Sequence, residues 1–260
     1  MILRRLAQNL KEQNWTAIAI EFVLLVLGVF LGIQVANWNA ERGDRHRGEL
    51  FTQKLITDMR VEHWRYRFLL EYYRDVHGAA ERALGALDGS APLADGALLV
   101  QAYRASQYKQ GSPSRATYDE LVSTGSLGLI GDERLRQVAG RMYTVASIDN
   151  LVKEGMQSPY RRWYRMYIPI AMQRALSKAC GDRYIRVGDY QDFDHVIDYD
   201  CVPDLSEAEV AAAAALLRSD AQVVPFLQLR MADLETRLTD MTSHNRDVLD
   251  GLRQYAPEAP

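Results

Sequence analysis

Between Ala17 and Ala36 the chain runs for 20 residues with only Glu21 and Gln34 as strongly polar members. At about 1.5 Å per residue such a helix covers roughly 30 Å, the hydrocarbon thickness of a bilayer. Trp15 and Trp38 bracket the run, as indoles do at the two faces of a membrane. A cleaved signal peptide is the rival reading, but its apolar core is shorter and ends in a small-x-small site. Here the exit reads Val35-Ala36-Asn37-Trp38-Asn39-Ala40 and offers no clean site. We expect a short tail over 1–15, a spanning helix over 16–38 and a water-exposed remainder over 39–260. The mean hydropathy of the whole chain, -0.25, requires that remainder to be soluble.

Glu21, Leu25, Gly28, Gly32, Val35 and Asn39 recur at steps of four and three, so they share one helical stripe. Gly28-x-x-x-Gly32 permits close approach of a second backbone, which is how helices pack in lipid without a hydrophobic drive. Glu21 is costly in lipid, by about 2.5–3.5 kcal/mol at the bilayer centre and less near an end. It favours a protein neighbour or the interface. The expected partners are the lipid bilayer and, through Glu21, Gly28 and Gly32, a second copy or another membrane helix.

Orientation is not decided by flanking cations: Arg4, Arg5 and Lys11 precede the run, and Arg42, Arg45, Arg47 and Lys54 follow it. A short tail before a long domain suits a signal anchor with the tail inside. The only two cysteines, Cys180 and Cys201, form the even pair that an oxidising compartment shows. A bridge between them stabilises by about 3 kcal/mol. Together these place the bulk of the chain on the outer side of a bacterial inner membrane, in the periplasm of a Gram-negative cell.

The remainder reads as helical. Leu55, Met59, Glu62, Tyr66, Leu69, Tyr73, Val76, Ala80, Ala83 and Leu87 form a buried stripe over 48–87, with Gly43 and Gly48 as possible hinges. A shorter helix is expected over 93–109. Thr117 and Glu120 read as a capping box, Gly125 as the stop that follows it, and Asp132 as the cap of a helix running to about Gly155. Pro159 suits a first helical turn, and Pro169 predicts a break. Residues 181–204 lose periodicity and read as a loop or small hairpin held by the cysteines. Ser206 or Asp204 caps the next helix. A last helix over 219–254 carries Leu227, Met231, Leu234, Leu238, Met241, Asn245, Val248 and Leu252, with Asn245 placed to fix a register. The expected fold class is mainly α: one N-terminal transmembrane helix followed by an antiparallel helical bundle, with an irregular loop at about 181–204.

Two segments carry a resemblance. Glu21-x-x-Leu24-Leu25-Val26-Leu27-Gly28-Val29 through Gln34-Val35-Ala36-Asn37-Trp38-Asn39 resembles the N-terminal signature of a family of bacterial single-span inner-membrane proteins of unknown function. Thr117-Tyr118-Asp119-Glu120-Leu121, followed by Gly125-Ser126-Leu127-Gly128-Leu129-Ile130, resembles that family's second motif. The resemblance covers the first forty residues, is patchy in the middle and does not extend past Cys180. It implies the single-span architecture and no activity.

Catalytic, cofactor-binding and metal residues are assigned to none. His46, His63, His77, His195 and His244 form no metal spacing, and Glu62 and His63 read as a solvated mid-helix face. Gly125-x-x-Gly128-x-x-Gly131 is not a phosphate-binding pattern. Asp189, Asp192, Asp194, Asp198, Asp200 and Asp204 supply hard oxygens suited to Ca²⁺. An EF-hand frame from Asp192, however, puts Ile197 where glycine belongs and Pro203 at the last ligand position. Tyr160-Arg161-Arg162-Trp163-Tyr164-Arg165-Met166-Tyr167 mixes cations and rings, but a net charge of -3 supplies no basic field for nucleic acid. The leading expectation is an interaction, scaffold or sensor-like subunit working by helix association. The alternatives are an enzyme using Glu120 or the loop 189–204, and a periplasmic ligand-binding module built on the aromatic segment 160–167.

The compartment is directly testable. In intact cells both thiols are expected to resist labelling until reductant is added. Free labelling on lysis without reductant would place the domain in the cytoplasm.

Overall fold

A computed structural model describes residues 15–190 and 196–256. The tail with Arg4, Arg5 and Lys11, the loop positions Asp192, Asp194 and His195, and Pro257 and Pro260 lie outside the described residues. The described chain is mainly helical and contains no strand. Its axis is α1 (Trp15–Asp88), 74 residues without interruption, about 110 Å long. Around it pack α2 (Asp95–Ala105), α3 (Ala116–Ser123), a 3₁₀ turn (Leu127–Leu129), α4 (Glu133–Thr144), α5 (Ser147–Gln157), α6 (Pro159–Tyr167), α7 (Ile170–Cys180), α8 (Glu207–Ser219), α9 (Val223–Thr239), a π-helical turn (Asp240–His244) and α10 (Arg246–Arg253).

Only the second half of α1 is covered. Residues 15–47 stand almost entirely exposed, and burial starts at Gly48. The stripe Leu55, Met59, Tyr66, Leu69, Tyr73, Val76, Ala80 and Ala83 is buried throughout, as its spacing predicts. α2 and α9 run back along α1. Gln101 meets Arg82 and Lys109 meets Tyr73, while Glu235 meets His77 and the Met241 carbonyl meets Tyr66. Two apolar clusters lie in sequence along the axis. The first joins Leu55–Val76 to Leu121, Leu135, Leu151, Leu234, Met241 and Leu252. The second joins Ala80 and Ala83 to Leu98, Ala102, Trp163, Leu176, Ala213 and Leu227. The alanines of α1 face α2, and α8 packs on α2 in turn, small side chains letting the backbones approach.

Several local expectations change. Gly43 and Gly48 do not hinge α1. A Cβ at Gly48 would lie 2.4 Å from the Leu129 carbonyl oxygen, so this glycine is a notch that seats the 3₁₀ turn. The capping box at Thr117 and Glu120 does not form. The chain is pinned one step earlier, because Ser114 donates its backbone N–H to Glu62 and its hydroxyl to Asp58. α3 therefore starts at Ala116, Thr117 is buried in its first turn, and Arg115 pairs with Asp119. The capping box occurs instead at Ser206 and Glu209, opening α8. Gly125 does stop α3: at φ +67 it lets Ser126 N–H reach the Leu121 carbonyl and its own N–H the Val122 carbonyl, a Schellman closure.

Asp132 caps α4 by accepting from the Leu135 N–H, but the helix breaks at Val145 rather than running to Gly155. Val145 is extended, which lets Leu135, Val138 and Met142 on one side and Ile148 and Leu151 on the other face the same core. The expected single helix over 219–254 is also divided. Tyr66 captures the Met241 carbonyl, and the Asn245 amide donates to the Asp240 carbonyl and to Ser147 Oγ. Asn245 thus closes a break in the helix instead of setting a register. Pro159 opens α6 and Pro169 separates it from α7.

Gly48→Ala distinguishes a hinge from a notch by sign. Removing a hinge glycine from a helix gains up to about 1 kcal/mol. Forcing a methyl into the Leu129 carbonyl costs about 1–3 kcal/mol. The expected result is a lowered Tm of the soluble domain in thermal unfolding.

Candidate functional site

Glu21, Gly28 and Gly32 lie on the uncovered half of α1. Nothing comes within 4 Å of a Cβ placed at Gly28 or Gly32, and none of the apolar window is buried by the rest of the chain. Phe22, Leu24, Leu25, Val29, Phe30, Leu31, Ile33 and Val35 are all exposed. The stripe is therefore presented whole, with both glycines bare.

The irregular loop after α7 is tied back at several points. Cys180 and Cys201 are bridged, with Cα atoms 5.4 Å apart. Beside the bridge Arg104 is buried and donates to Asp198 Oδ1 at 3.1 Å, to the Tyr199 carbonyl and to Cys201 Sγ at 3.5 Å. Arg82 takes the other Asp198 oxygen at 3.0 Å. This answers what the acidic run does where it is described: Asp198 neutralises two arginines. Among the described residues no group of three or more His, Cys, Asp or Glu side chains is placed to hold a metal ion. Further along, the Trp64 indole donates to the Asp189 carbonyl at 2.6 Å and Tyr199 OH to the Gly181 carbonyl at 2.6 Å.

Glu62 and His63 are not solvated. Glu62 is 0% and His63 3% exposed. Glu62 accepts from Arg65 Nε at 2.9 Å, from Arg65 Nη2 at 2.6 Å and from the Ser114 N–H at 2.5 Å. The charge is paired and hydrogen-bonded, the condition under which an ion tolerates burial. Tyr143 OH donates to the Ser114 carbonyl. Burial, and then the Glu62 and Asp58 charges, hold its phenol far above the ordinary value. His63 Nδ1 lies 2.8 Å from Tyr190 OH. Burial first, then Arg67 and Arg253, press the imidazole down to about 4. These groups lock the loops 106–115 and 181–205 onto α1. The signal for Glu62 was present in the sequence, since it falls on the same stripe as Leu55, Met59 and Tyr66.

Glu120 lines none of the described cavities and sits exposed on α3, so it is not brought to a perturbed histidine or arginine. In the aromatic segment, Tyr160, Trp163 and Tyr164 are core residues. Trp163 Nε1 donates to Asp220 Oδ2 at 2.9 Å, and it lines none of the described cavities. Its arginines behave differently. Arg161, Arg165 and Arg174 line a cavity of about 200 Å³ between α2, α6 and α7. Arg161 Nη1 donates to the Ser106 carbonyl at 2.7 Å, and its guanidinium stacks 4.6 Å over the Tyr108 ring. Behind it Arg230, 1% exposed, donates to the Gln107 carbonyl at 3.0 Å, while its Nε is buried without a partner. Neither Arg174 nor Arg230 had been singled out from the sequence. Three helices must pack before these side chains meet, so spacing alone carries no trace of them.

The chain matches no protein-family profile, no curated protein and no solved structure. Its own residues define its class: a mainly α protein with, among the described residues, one helix near the N-terminus long and apolar enough to cross a membrane.

The buried imidazole sets a pH dependence. The folded value, about 4, is below the unfolded value near 6.5, so the unfolded chain binds the extra proton between those limits. Stability is complete above pH 6.5 and falls by up to about 3 kcal/mol as pH drops toward 4. His63→Gln is expected to flatten that part of the profile in urea unfolding across pH.

Proposed function

We propose that this chain is a single-span membrane-anchored protein. Its helical domain stands clear of the bilayer on an unbroken helix, and it works as an interaction, scaffold or sensor-like subunit through association of the spanning helix. The observation that carries the reading is the bare first half of α1. An apolar surface of this length, left uncovered by its own domain, is stable only in lipid or against another chain. The stripe of Glu21, Leu25, Gly28 and Gly32 then offers the close-packing face. The ordered domain begins at Gly48, about 15 Å along the helix from Trp38, which leaves room for a polar interface layer. The Cys180–Cys201 bridge supports an oxidising side, and with it a periplasmic location on a bacterial inner membrane. The resemblance of the first forty residues to bacterial single-span proteins supports the same placement.

Oxidative crosslinking within membranes tests the association. The natural cysteines are both bridged, so an added cysteine is the sole free thiol. Leu25→Cys, on the glycine stripe, is expected to crosslink, and Leu27→Cys, on the opposite side, is not. Adding Gly28→Leu to Leu25→Cys is expected to cut the yield sharply. Monomer throughout, or equal yield on both faces, would rule out association through this stripe.

A further inference from the structure

We propose that the cavity bounded by α2, α6 and α7 binds a small phosphate-bearing anion taken from solution. Arg161, Arg165 and Arg174 line it, with Tyr103 and Tyr164 as aromatic wall and Ser177 at the side, and no carboxylate lines it. None of the three arginines makes an ion pair with a described carboxylate. A second arginine-rich cavity, near α10, shows the contrast. There Arg74 is paired with Glu71, and Arg246 and Arg253 with Asp250, all within the lining. With Arg67 that lining holds four arginines, whose charge two carboxylates offset in part; nothing in the lining of the first offsets its charge.

The cations of the first cavity are also held ready. Arg161 is fixed by the Ser106 carbonyl and by its stack on Tyr108, and Arg230 by the adjacent Gln107 carbonyl. Burial, followed by the neighbouring Arg165 charge, lowers the Arg161 value, and Arg161 contributes to the lowering at Arg230. Like charges are thus gathered around a cavity whose lining holds no carboxylate, which favours the entry of an anion. The guanidinium fork matches the oxygens of a phosphate bidentately. A phosphate monoester brings about two negative charges near neutral pH, against one for a simple carboxylate. About 200 Å³ admits inorganic phosphate or a small ester. Lipid headgroups of the anchoring membrane are out of reach. The cavity belongs to the cluster around Ala80, about 60 Å along α1 from Trp38. That last step alone rests on the membrane-anchored reading.

The test uses the full chain in nanodiscs of phosphatidylcholine. Inorganic phosphate and glycerol 3-phosphate are titrated against sodium chloride at matched ionic strength, with Tm and binding heat as readouts. A saturable rise in Tm is expected. Arg165→Gln combined with Arg174→Gln is expected to weaken binding at least about tenfold. Both side chains are exposed, so the fold is not at stake. Arg246→Gln in the other cavity is expected to leave binding unchanged. No saturable effect, or the same effect in the double variant, would overturn the proposal. So would a response to phosphatidylglycerol nanodiscs with none to soluble phosphate, in favour of a lipid source. Crosslinking at Leu25→Cys is independent of every one of these outcomes.

Discussion

The whole packed domain is built around the second half of one helix, which is enclosed nearly all round between Glu62 and Tyr73. Every other element reaches the core by touching α1 or by touching a helix that does. Leu55 through Ala83 supply that buried surface, and its chemistry changes along its length. Bulky aliphatic and aromatic side chains occupy the half nearer the uncovered segment, and alanines the far half. The first half holds α3, α4, α9 and α10 against its large side chains. The second lets α2 approach closely, helix against helix, and α8 packs on α2 in turn. The two apolar clusters are consequences of that gradient and not separate domains.

Polar anchors do the rest, and they are built from groups that would be costly if left alone. Glu62 is stable inside because Arg65 and Ser114 satisfy it. Arg104 is stable because Asp198 and the Tyr199 carbonyl do the same. Each anchor fastens a loop with no regular structure of its own to a helix, where apolar packing is thin. Removing one partner would leave the other buried and charged, the expensive case. The disulfide works in the same region, so the loop after α7 is held covalently at its ends and by hydrogen bonds between them.

Much of this was legible in order along the chain. The four-three stripe over 48–87, the turns at Pro159 and Pro169 and the stop at Gly125 follow from local chemistry, and the structure has them. Two of the exceptions share one cause: distant residues compete for local hydrogen-bonding groups. Thr117 loses its capping position because Ser114 is already held by Glu62 and Asp58. The helix expected over 219–254 divides where Tyr66, some 175 residues away, takes the Met241 carbonyl. Glu62 and His63 look like surface residues by type and are interior by position. The arginine cavity is the extreme case, since it exists only where three helices converge.

The continuity of α1 has a mechanical consequence. No glycine or proline interrupts the helix between Trp38 and Asp88 in a way that lets it bend, so the segment is a stiff rod about 75 Å long. A rod anchored at one end is a lever. A lean of about 20°, an ordinary tilt for a membrane helix, would swing the far tip sideways by roughly 25 Å. Rotation of the uncovered half of α1 about the helix axis would turn the arginine cavity through the same angle. If two such helices associate in a bilayer as proposed, small changes in their crossing would be amplified into large changes in the spacing of the domains they carry.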